Sequence, residues 1–489
     1  MIRFSHLLMF SLLASCTLGP NYRRPRFYDK AQVQQSLHIN GNEAAGVSLD
    51  WYRRFNDPVL TGLIEQGLRE SPSVGAAVAK LRQARSSLRI NAVKFLPTID
   101  GDASYHKIRD SQAYGIELTT DYYQLGLDAS WEIDIWGAGR RLTESSWALL
   151  RQAGANLDNV QLTLTAEIAN NYISLRRAQE QLRISRQNLK LQEDIFDLVN
   201  TKYQVGLDDA IAYNQSKYLV ETTRAQIPEL ESEAEAYANA LTILVGKLPG
   251  EFQDALNNTS GNLVNKQFNY DLSQLYNLPV DVIRNRPDVQ MSEQQLVAAN
   301  AQIGQAIAGL FPSVNISAFL GWQSANLGKL ITPNTDMFSL SPAVNIPLFH
   351  FGALVNNVEL QKGVKAEQVK MYQASILNAA AEIRNAMVKI QNEYNRNDST
   401  RRAVKSQEEV SELTLAKYRQ GLVDFNDILI AQQNLLQSQN DLAASNAAIY
   451  QDIISFYKAV GGGYSPRFHY KPGPRYNNPF YCEKKIAAR

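Results

Sequence analysis

Residues 166–170 read Ala-Glu-Ile-Ala-Asn, and residues 381–385 read Ala-Glu-Ile-Arg-Asn, so one short motif recurs 215 positions later. The same shift carries Lys202-Tyr203-x-x-Gly206-Leu207 onto Lys417-Tyr418-x-x-Gly421-Leu422. A constant offset held over about 175 residues indicates an internal duplication. The chain is therefore predicted to contain two similar copies, 72–246 and 287–461.

Composition narrows the class of protein further. The chain has 489 residues, with 49 basic and 48 acidic side chains and a net charge of +1. This balance gives no indication of a nucleic-acid partner or of an acidic substrate. Two cysteines, Cys16 and Cys482, form neither a disulfide framework nor a metal site.

The first residues are typical of an exported protein. A weakly basic start and a short apolar run predict a signal peptide over 1–15, because the run is too short to span a bilayer. The run ends in Leu13-Ala14-Ser15-Cys16, which resembles a bacterial lipobox. Cys16 is the predicted lipidation site, and in that resemblance Thr17, rather than an aspartate, implies sorting to the outer membrane. The alternative is an ordinary secretory leader with an incidental cysteine.

Each copy contains a predicted β-hairpin, over 97–134 and 312–349. Apolar and polar residues alternate in both arms, as in Tyr123, Leu125, Leu127, Ala129, Trp131 and Ile133. This pattern is typical of transmembrane barrel strands, with longer loops expected at 107–121 and 323–336. Four strands cannot close a barrel, so several chains would have to share one. Three chains would give twelve strands. A half-buried sheet of a soluble protein is the alternative.

The remainder of each copy is predicted to be a long helical hairpin, 138–246 and 353–461. No Gly or Pro occurs at 155–205 or 364–420, and the helices are expected to turn at Gly206 and Gly421. Gly137 and Gly352 mark the strand-to-helix transitions. Asp208, Asp209 and Asp424 are suited to capping the returning helices, and Pro228 is expected to kink the first of them. A cytosolic coiled coil is the alternative.

Further motifs lie in a fixed order along nearly the whole chain. They include Gly19-Pro20-x-Tyr22, Phe55-Asn56-Asp57-Pro58, Trp136-Gly137, Arg284-x-Arg286-Pro287-Asp288 and Ile346-Pro347-Leu348-Phe349. In this order they resemble the TolC-type outer membrane factor family, in its lipoprotein branch that serves tripartite drug pumps of the RND type. A lead-in at 16–71, a connector at 247–286 and an irregular tail at 462–489 complete the predicted domains.

The resemblance implies a mixed α+β membrane protein. A homotrimer would form a twelve-stranded β-barrel in the cell outer membrane, continuous with a long periplasmic α-helical barrel. It also implies contact with outer-membrane lipid, a periplasmic adaptor (membrane fusion) protein and an inner-membrane efflux pump. No cofactor, metal or catalytic residue is expected, since the five histidines are scattered and no nucleotide or nucleophile motif occurs.

The resemblance also implies a gate at the helical tips. Relatives place carboxylates six and nine residues after the second tip glycine; Asp427 matches the first position, and Ile430 stands at the second. Tyr418 matches a locking tyrosine and has Tyr203 as its counterpart in the first copy; plain aromatic packing at the tip is the alternative for Tyr418. Val423 and Ala212 occupy positions where relatives carry an arginine and an aspartate. Asp427 as an ordinary first-turn acid of a helix is the alternative.

The functional hypothesis is a passive exit duct for drugs and toxic small molecules, not an enzyme. The same duct could serve type I protein secretion or metal-ion export, because the cargo would be chosen mainly by the pump and adaptor. A periplasmic coiled-coil scaffold or adhesin is the alternative from another class.

Overall fold

The structure is a computed structural model that describes residues 17–40, 49–109, 119–251, 256–257, 263–265 and 271–462. The predicted signal peptide, the predicted lipidation site Cys16, and all of the predicted tail beyond Gly462 lie outside the described residues. The description therefore begins at Thr17 and ends at Gly462.

The chain alternates between helical segments and two pairs of strands. The helices are α1 Lys30–Leu37, α2 Pro58–Glu70, α3 Pro72–Val93, α4 Ala138–Gln204, α5 Ala210–Val245, α6 Ser273–Tyr276, α7 Val282–Asn285, α8 Pro287–Ala308, α9 Ala353–Arg419 and α10 Phe425–Ala459. The strands are β1 Thr98–Arg109, β2 Thr119–Ile133, β3 Ser313–Ser324 and β4 Asp336–Asn345. Short 3-10 turns lie at Trp51–Phe55, Leu263–Asn265 and Leu327–Lys329.

The duplication is visible in the element boundaries. Shifting α3, β1 and α4 by 215 residues gives the bounds of α8, β3 and α9 without any adjustment. Glycines with positive φ recur in the same way, at 137 and 352, at 206 and 421, and at 246 and 461. The two copies therefore share their backbone turns as well as their sequence landmarks.

The four strands form one antiparallel sheet in the order β1-β2-β3-β4. The central pairing joins the two copies, since β2 lies beside β3 with Ala129 opposite Ala318. Strands β1 and β4 are the edges of the sheet within this chain. Their outer backbone groups therefore require partners beyond the chain wherever the sheet is out of water.

The predicted hairpin loops were too long in the first copy. Strand β1 continues through Lys107 to Arg109 and β2 begins at Thr119, because Lys107 stands opposite Asp121 and an opposite-charge pair supports the ladder. Residues 110–118 lie outside the described part. In the second copy β4 ends at Asn345, earlier than the alternation predicted. Pro347 follows closely and has no N–H to donate to a ladder.

The long helices are rods. Helices α4 and α9 have 67 residues each, which corresponds to about 100 Å at 1.5 Å per residue. Helix α4 packs along α5 and α9 along α10, while α8 lies against both α4 and α9. Pro228 lies inside α5 without ending it. None of the helices in the described ranges is both long enough and apolar enough to cross a membrane.

The main core surrounds the middle of the rods, where the segment before the first copy packs on them. Asp57 caps α2 through bonds from the Val59 and Leu60 N–H groups, and its other oxygen accepts the Tyr172 hydroxyl at 2.6 Å. Arg286, also buried, donates to the Ala459 carbonyl and to Glu382. These contacts give a structural reason for two of the sequence motifs, Asn56-Asp57-Pro58 and Arg286-Pro287-Asp288.

A glycine pair lets the two copies of the sheet meet closely. Gly126 faces Gly321 across the β2–β3 pairing, and the Phe319 ring covers both. A Cβ at Gly126 would stand 2.5 Å from Phe319 Cζ and 2.7 Å from the Leu320 carbonyl oxygen. Only a residue without a side chain fits there.

We expect Gly126→Ala to destabilise the folded sheet by about 1–3 kcal/mol through overpacking. The measurement is the fraction of membrane-extracted protein that keeps its folded migration on gels as temperature rises. Gly101→Ala is the matched control, because a Cβ at Gly101 meets no atom within 4 Å. Equal loss of folded protein in both variants would contradict the packing role of the glycine pair.

Candidate functional site

The free ends of the two helical hairpins have the same backbone turn. Gly206 and Gly421 have φ of 75° and 74°, and a Cβ at either position would meet only open space. The Leu207 and Leu422 N–H groups reach back to the carbonyls of Lys202 and Lys417, at 2.8 and 3.0 Å. This is the Schellman ending of a helix, which favours glycine because of its left-handed conformation.

The helices that return from the tips begin differently in the two copies. Asp209 caps α5, and its Oδ1 accepts from the Ala212 N–H at 2.8 Å. Asp424 holds the same position before α10 but makes no side-chain cap bond, so the prediction that it caps in this way is wrong. Its backbone carbonyl accepts from the Asp427 N–H instead, at 3.2 Å.

Tyr418 joins the second tip to the first. Its side chain is buried, and its hydroxyl donates a hydrogen bond to the Asp208 carboxylate. Lys202 from the first hairpin lies with its Nζ 3.9 Å from the centre of the Tyr418 ring and donates to the Tyr418 carbonyl oxygen at 3.0 Å. One tyrosine therefore holds a cation–π contact and two hydrogen bonds across the hairpins.

Burial raises the pKa of the Tyr418 hydroxyl above its ordinary value, and the hydrogen bond and negative charge of Asp208 raise it further. The hydroxyl therefore keeps its proton throughout the physiological range and remains a donor. A bond from a neutral donor to a carboxylate is stronger than a bond between two neutral groups.

Apolar side chains lie directly beneath this contact. Ile195, Val199 and Ala212 from the first hairpin pack against Tyr418, Phe425 and Ile428 from the second, with Val423 partly buried beside them. We call this set the tip cluster. Ala212 and Val423 stand where the resemblance implied polar locking residues, and here they contribute to apolar packing. Tyr418 of the implied lock thus joins the tips, but its partners are Asp208 and Lys202.

The other predicted tip residues lie apart from this contact. The Tyr203 ring stacks on Tyr213 in its own hairpin, with centroids 5.2 Å apart. Asp427 is exposed in the first turn of α10. Sequence reasoning did not identify Lys202 and Asp208 as the partners of Tyr418. One sequence signal could have pointed to Asp208. It is an aspartate in the first copy, whereas the equivalent residue of the second copy is Val423.

The strand-to-helix junction is the second predicted site. Gly137 and Gly352 precede α4 and α9 with φ of 82° and 79°. The Asp134 carboxylate accepts from the N–H groups of Gly139 and Arg140, which caps the first turn of α4. The Trp136 indole donates to the Pro312 carbonyl at 2.7 Å, so it ties this junction to the start of β3.

Within the ranges that the structure describes, no group of three or more His, Cys, Asp or Glu side chains is arranged to hold a metal ion.

The family model for outer membrane efflux proteins matches this chain twice, over residues 63–247 and 278–462. The two matches are separated by the same 215 residues as the two copies. The chain belongs to the outer membrane efflux protein family. The predicted fold class and its internal repeat are confirmed.

Individual relatives match along nearly their whole length. Nodulation protein T of Rhizobium leguminosarum bv. trifolii is 29% identical over 468 residues, which cover 94% of this chain and 97% of the relative. The probable efflux pump outer membrane protein TtgC of Pseudomonas putida is 27% identical over 466 residues, covering 93% and 94%. Their names differ in biological setting, so family membership alone leaves the cargo open.

A solved channel has the same architecture. The structure of the outer-membrane channel OprN superposes with a TM-score of 0.83 at 27% identity, covering 92% of this chain and 100% of that one. The family therefore places this chain among the outer-membrane efflux channels that extend into the periplasm.

We expect Tyr418→Phe to loosen the tips while leaving their packing intact, because only the hydroxyl bonded to Asp208 is removed. A hydrogen bond to a charged group contributes about 1.5–3 kcal/mol, so amide hydrogen exchange around the second tip should speed up by about tenfold or more. Tyr203→Phe is the matched control at the equivalent position of the first copy. Unchanged exchange in Tyr418→Phe would show that the bond to Asp208 does not hold the tips together.

Proposed function

We propose that three copies of this chain form a passive exit duct for drugs and other toxic small molecules. The observation that carries the proposal is the four-stranded sheet with open edges at β1 and β4, in a chain whose two copies both match the efflux family. Unpaired backbone groups facing lipid cost several kcal/mol each, so neighbouring chains must cover those edges. The OprN likeness extends over the whole of that channel and supports the same assembly.

The helical rods support a role as a tunnel wall. Helix α9 leaves large apolar side chains exposed in the single chain, among them Val355, Leu360 and Met371. Such residues on a helix at the edge of the chain are explained by packing against the next protomer. The rods would then enclose a passage through the periplasm toward a periplasmic adaptor and an inner-membrane pump of the RND type. Energy for transport would come from the pump, and no catalytic role is assigned to this chain.

The helical tips are proposed to be the inner aperture of the duct. Tyr418, held by Asp208 and Lys202, would keep the second hairpin against the first in the closed state. Gly206 and Gly421 supply the turns, and Tyr203 packs on its own hairpin. The exposed Asp427 would place one carboxylate per chain near the axis, where like charges favour cations over anions.

The duct proposal is tested with purified protein in planar lipid bilayers and in cells. We expect stable conductance, and lower drug susceptibility of an efflux-deficient host when the chain is expressed with its cognate adaptor and pump. Asp427→Asn should lower the cation-to-anion permeability ratio obtained from reversal potentials. Protein that stays monomeric in detergent and never conducts would refute the duct. Conductance with metal or protein export but without drug protection would support the duct and contradict only the assignment of drugs as its cargo.

Cys16 is proposed to carry the lipid anchor. Its position immediately precedes a segment that is fixed at the strand-to-helix junction. There the Leu18 N–H donates to the Trp136 carbonyl at 3.0 Å, and Thr17 packs beside Gly137. Acyl chains attached to residue 16 would therefore start close to the end of β2, at the level where the strands end.

We expect Cys16→Ala to abolish incorporation of labelled palmitate in growing cells, because the thiol is the atom that is acylated. Cys482→Ala is the matched control and should label like the original chain. Persistent labelling of Cys16→Ala would refute the assignment.

A further inference from the structure

A large aromatic residue ends the strand-to-helix junction in both copies, but only one of the two is covered. Trp136 in the first copy corresponds to Phe351 in the second. The Trp136 ring packs on that of Phe311, with centroids 4.8 Å apart, and its indole N–H donates to the Pro312 carbonyl. Phe351, by contrast, is 89% exposed within the single chain. The second junction therefore lacks, within its own chain, the kind of surface on which the first one packs.

The backbone at Phe351 has a conformation that a bulky residue rarely adopts. Its φ is 48°, and Gly352 after it has a φ of 79°. At the equivalent pair of the first copy, Gly137 has a positive φ and Trp136 does not. A left-handed conformation is unfavourable for a residue with a Cβ and persists where surrounding contacts impose it. The Phe351 ring lies 4.4 Å from that of Phe349, between centroids, but Phe349 is itself 73% exposed. We therefore expect contacts from outside the chain to fix this turn.

The internal duplication identifies the surface that would receive Phe351. Trp136 reaches across the β2–β3 pairing to residues 311–312, which immediately precede β3. Shifting these positions back by 215 residues gives Leu96 and Pro97, which immediately precede β1. Leu96 is 62% exposed, and Pro97 is exposed as well. Because β1 and β4 lie at opposite edges of the sheet, Phe351 can reach these two residues only in a second chain.

We propose that Phe351 is the aromatic anchor that docks each chain on the next, with its ring packed on Leu96 and Pro97 of a second copy. The contact repeats between chains the one that Trp136 makes within the chain. Its chemistry differs in two ways, because phenylalanine has no N–H to donate and Leu96 stands where the other site has the Phe311 ring. The contact between chains is therefore wholly apolar, and it is the weaker of the two.

The inference rests on the proposed trimeric duct, and it is tested on the full-length chain in membranes. A photoreactive phenylalanine analogue, p-benzoylphenylalanine, is placed at position 351. Irradiation should join neighbouring chains, and the linked peptide should map to residues 93–99. The same analogue at position 136 is the matched control. It should link to residues 310–313 of its own chain, so that the chain still migrates as a monomer on denaturing gels.

Three outcomes would overturn the anchor while leaving the duct intact. Position 351 could link to lipid, to another protein or to a different part of the neighbouring chain. It could also give no product while position 136 links as expected. A chain whose mass in detergent is that of a monomer before irradiation would instead refute the trimer, and the anchor with it.

A stability measurement tests the same contact without photochemistry. Phe351→Ala should increase the dissociation of the trimer in detergent by about tenfold or more, because three anchors are lost in each trimer. Leu96→Ala should act in the same direction, and combining the two should add little, since both remove one contact. Leu320→Ala is the control, because Leu320 is 66% exposed but lies on β3, which is paired on both sides within the chain. Equal weakening by Leu320→Ala, or none by Phe351→Ala, would overturn the anchor.

Discussion

The structure depends on how the edges of a four-stranded sheet are satisfied. Within one chain, β2 and β3 are paired on both sides, whereas β1 and β4 are each paired on one side only. Water can satisfy such edges in a soluble protein, but lipid cannot. A sheet of this size in a membrane is therefore a fragment of a closed barrel. The helical part of the chain also needs a neighbour, because apolar side chains of α9 are exposed until another chain covers them.

The internal duplication gives one chain two similar strand pairs and two similar helical hairpins, and the copies differ in side chains near the tips. Both copies keep the glycine turns, so both hairpins reverse direction in the same way. They differ just beyond those turns. Asp208 in the first copy corresponds to Val423 in the second, and the hydroxyl of Tyr418 uses that difference to bridge the hairpins. Valine at position 208, as at the equivalent position 423, would leave the hydroxyl without this acceptor.

Much of the fold could be predicted from the sequence, since it follows from periodicity and from glycine. A stretch without Gly or Pro over more than fifty residues predicts a rod, and alternation toward Ile133 predicts a strand. The side-chain contacts could not be predicted, because Lys202 and Asp208 are far from Tyr418 in sequence and meet it only after both hairpins fold. Asp424 is a contact that the sequence predicts and the structure lacks. It is a suitable capping residue in the N-cap position, yet its side chain makes no cap bond.

The most direct test of the account joins the two open edges between chains. A cysteine replacing Ala103 in the middle of β1 is combined with single cysteines replacing each residue of 338–342 in β4, in a Cys482→Ser background. Because β1 and β4 lie at opposite edges of one chain, we expect oxidation in membranes to link neighbouring chains for at least one pair. The products should form a ladder that ends at a covalent trimer, whereas either cysteine alone gives none. No linkage in any pair, or a ladder that continues beyond three chains, would contradict a closed barrel built from three copies.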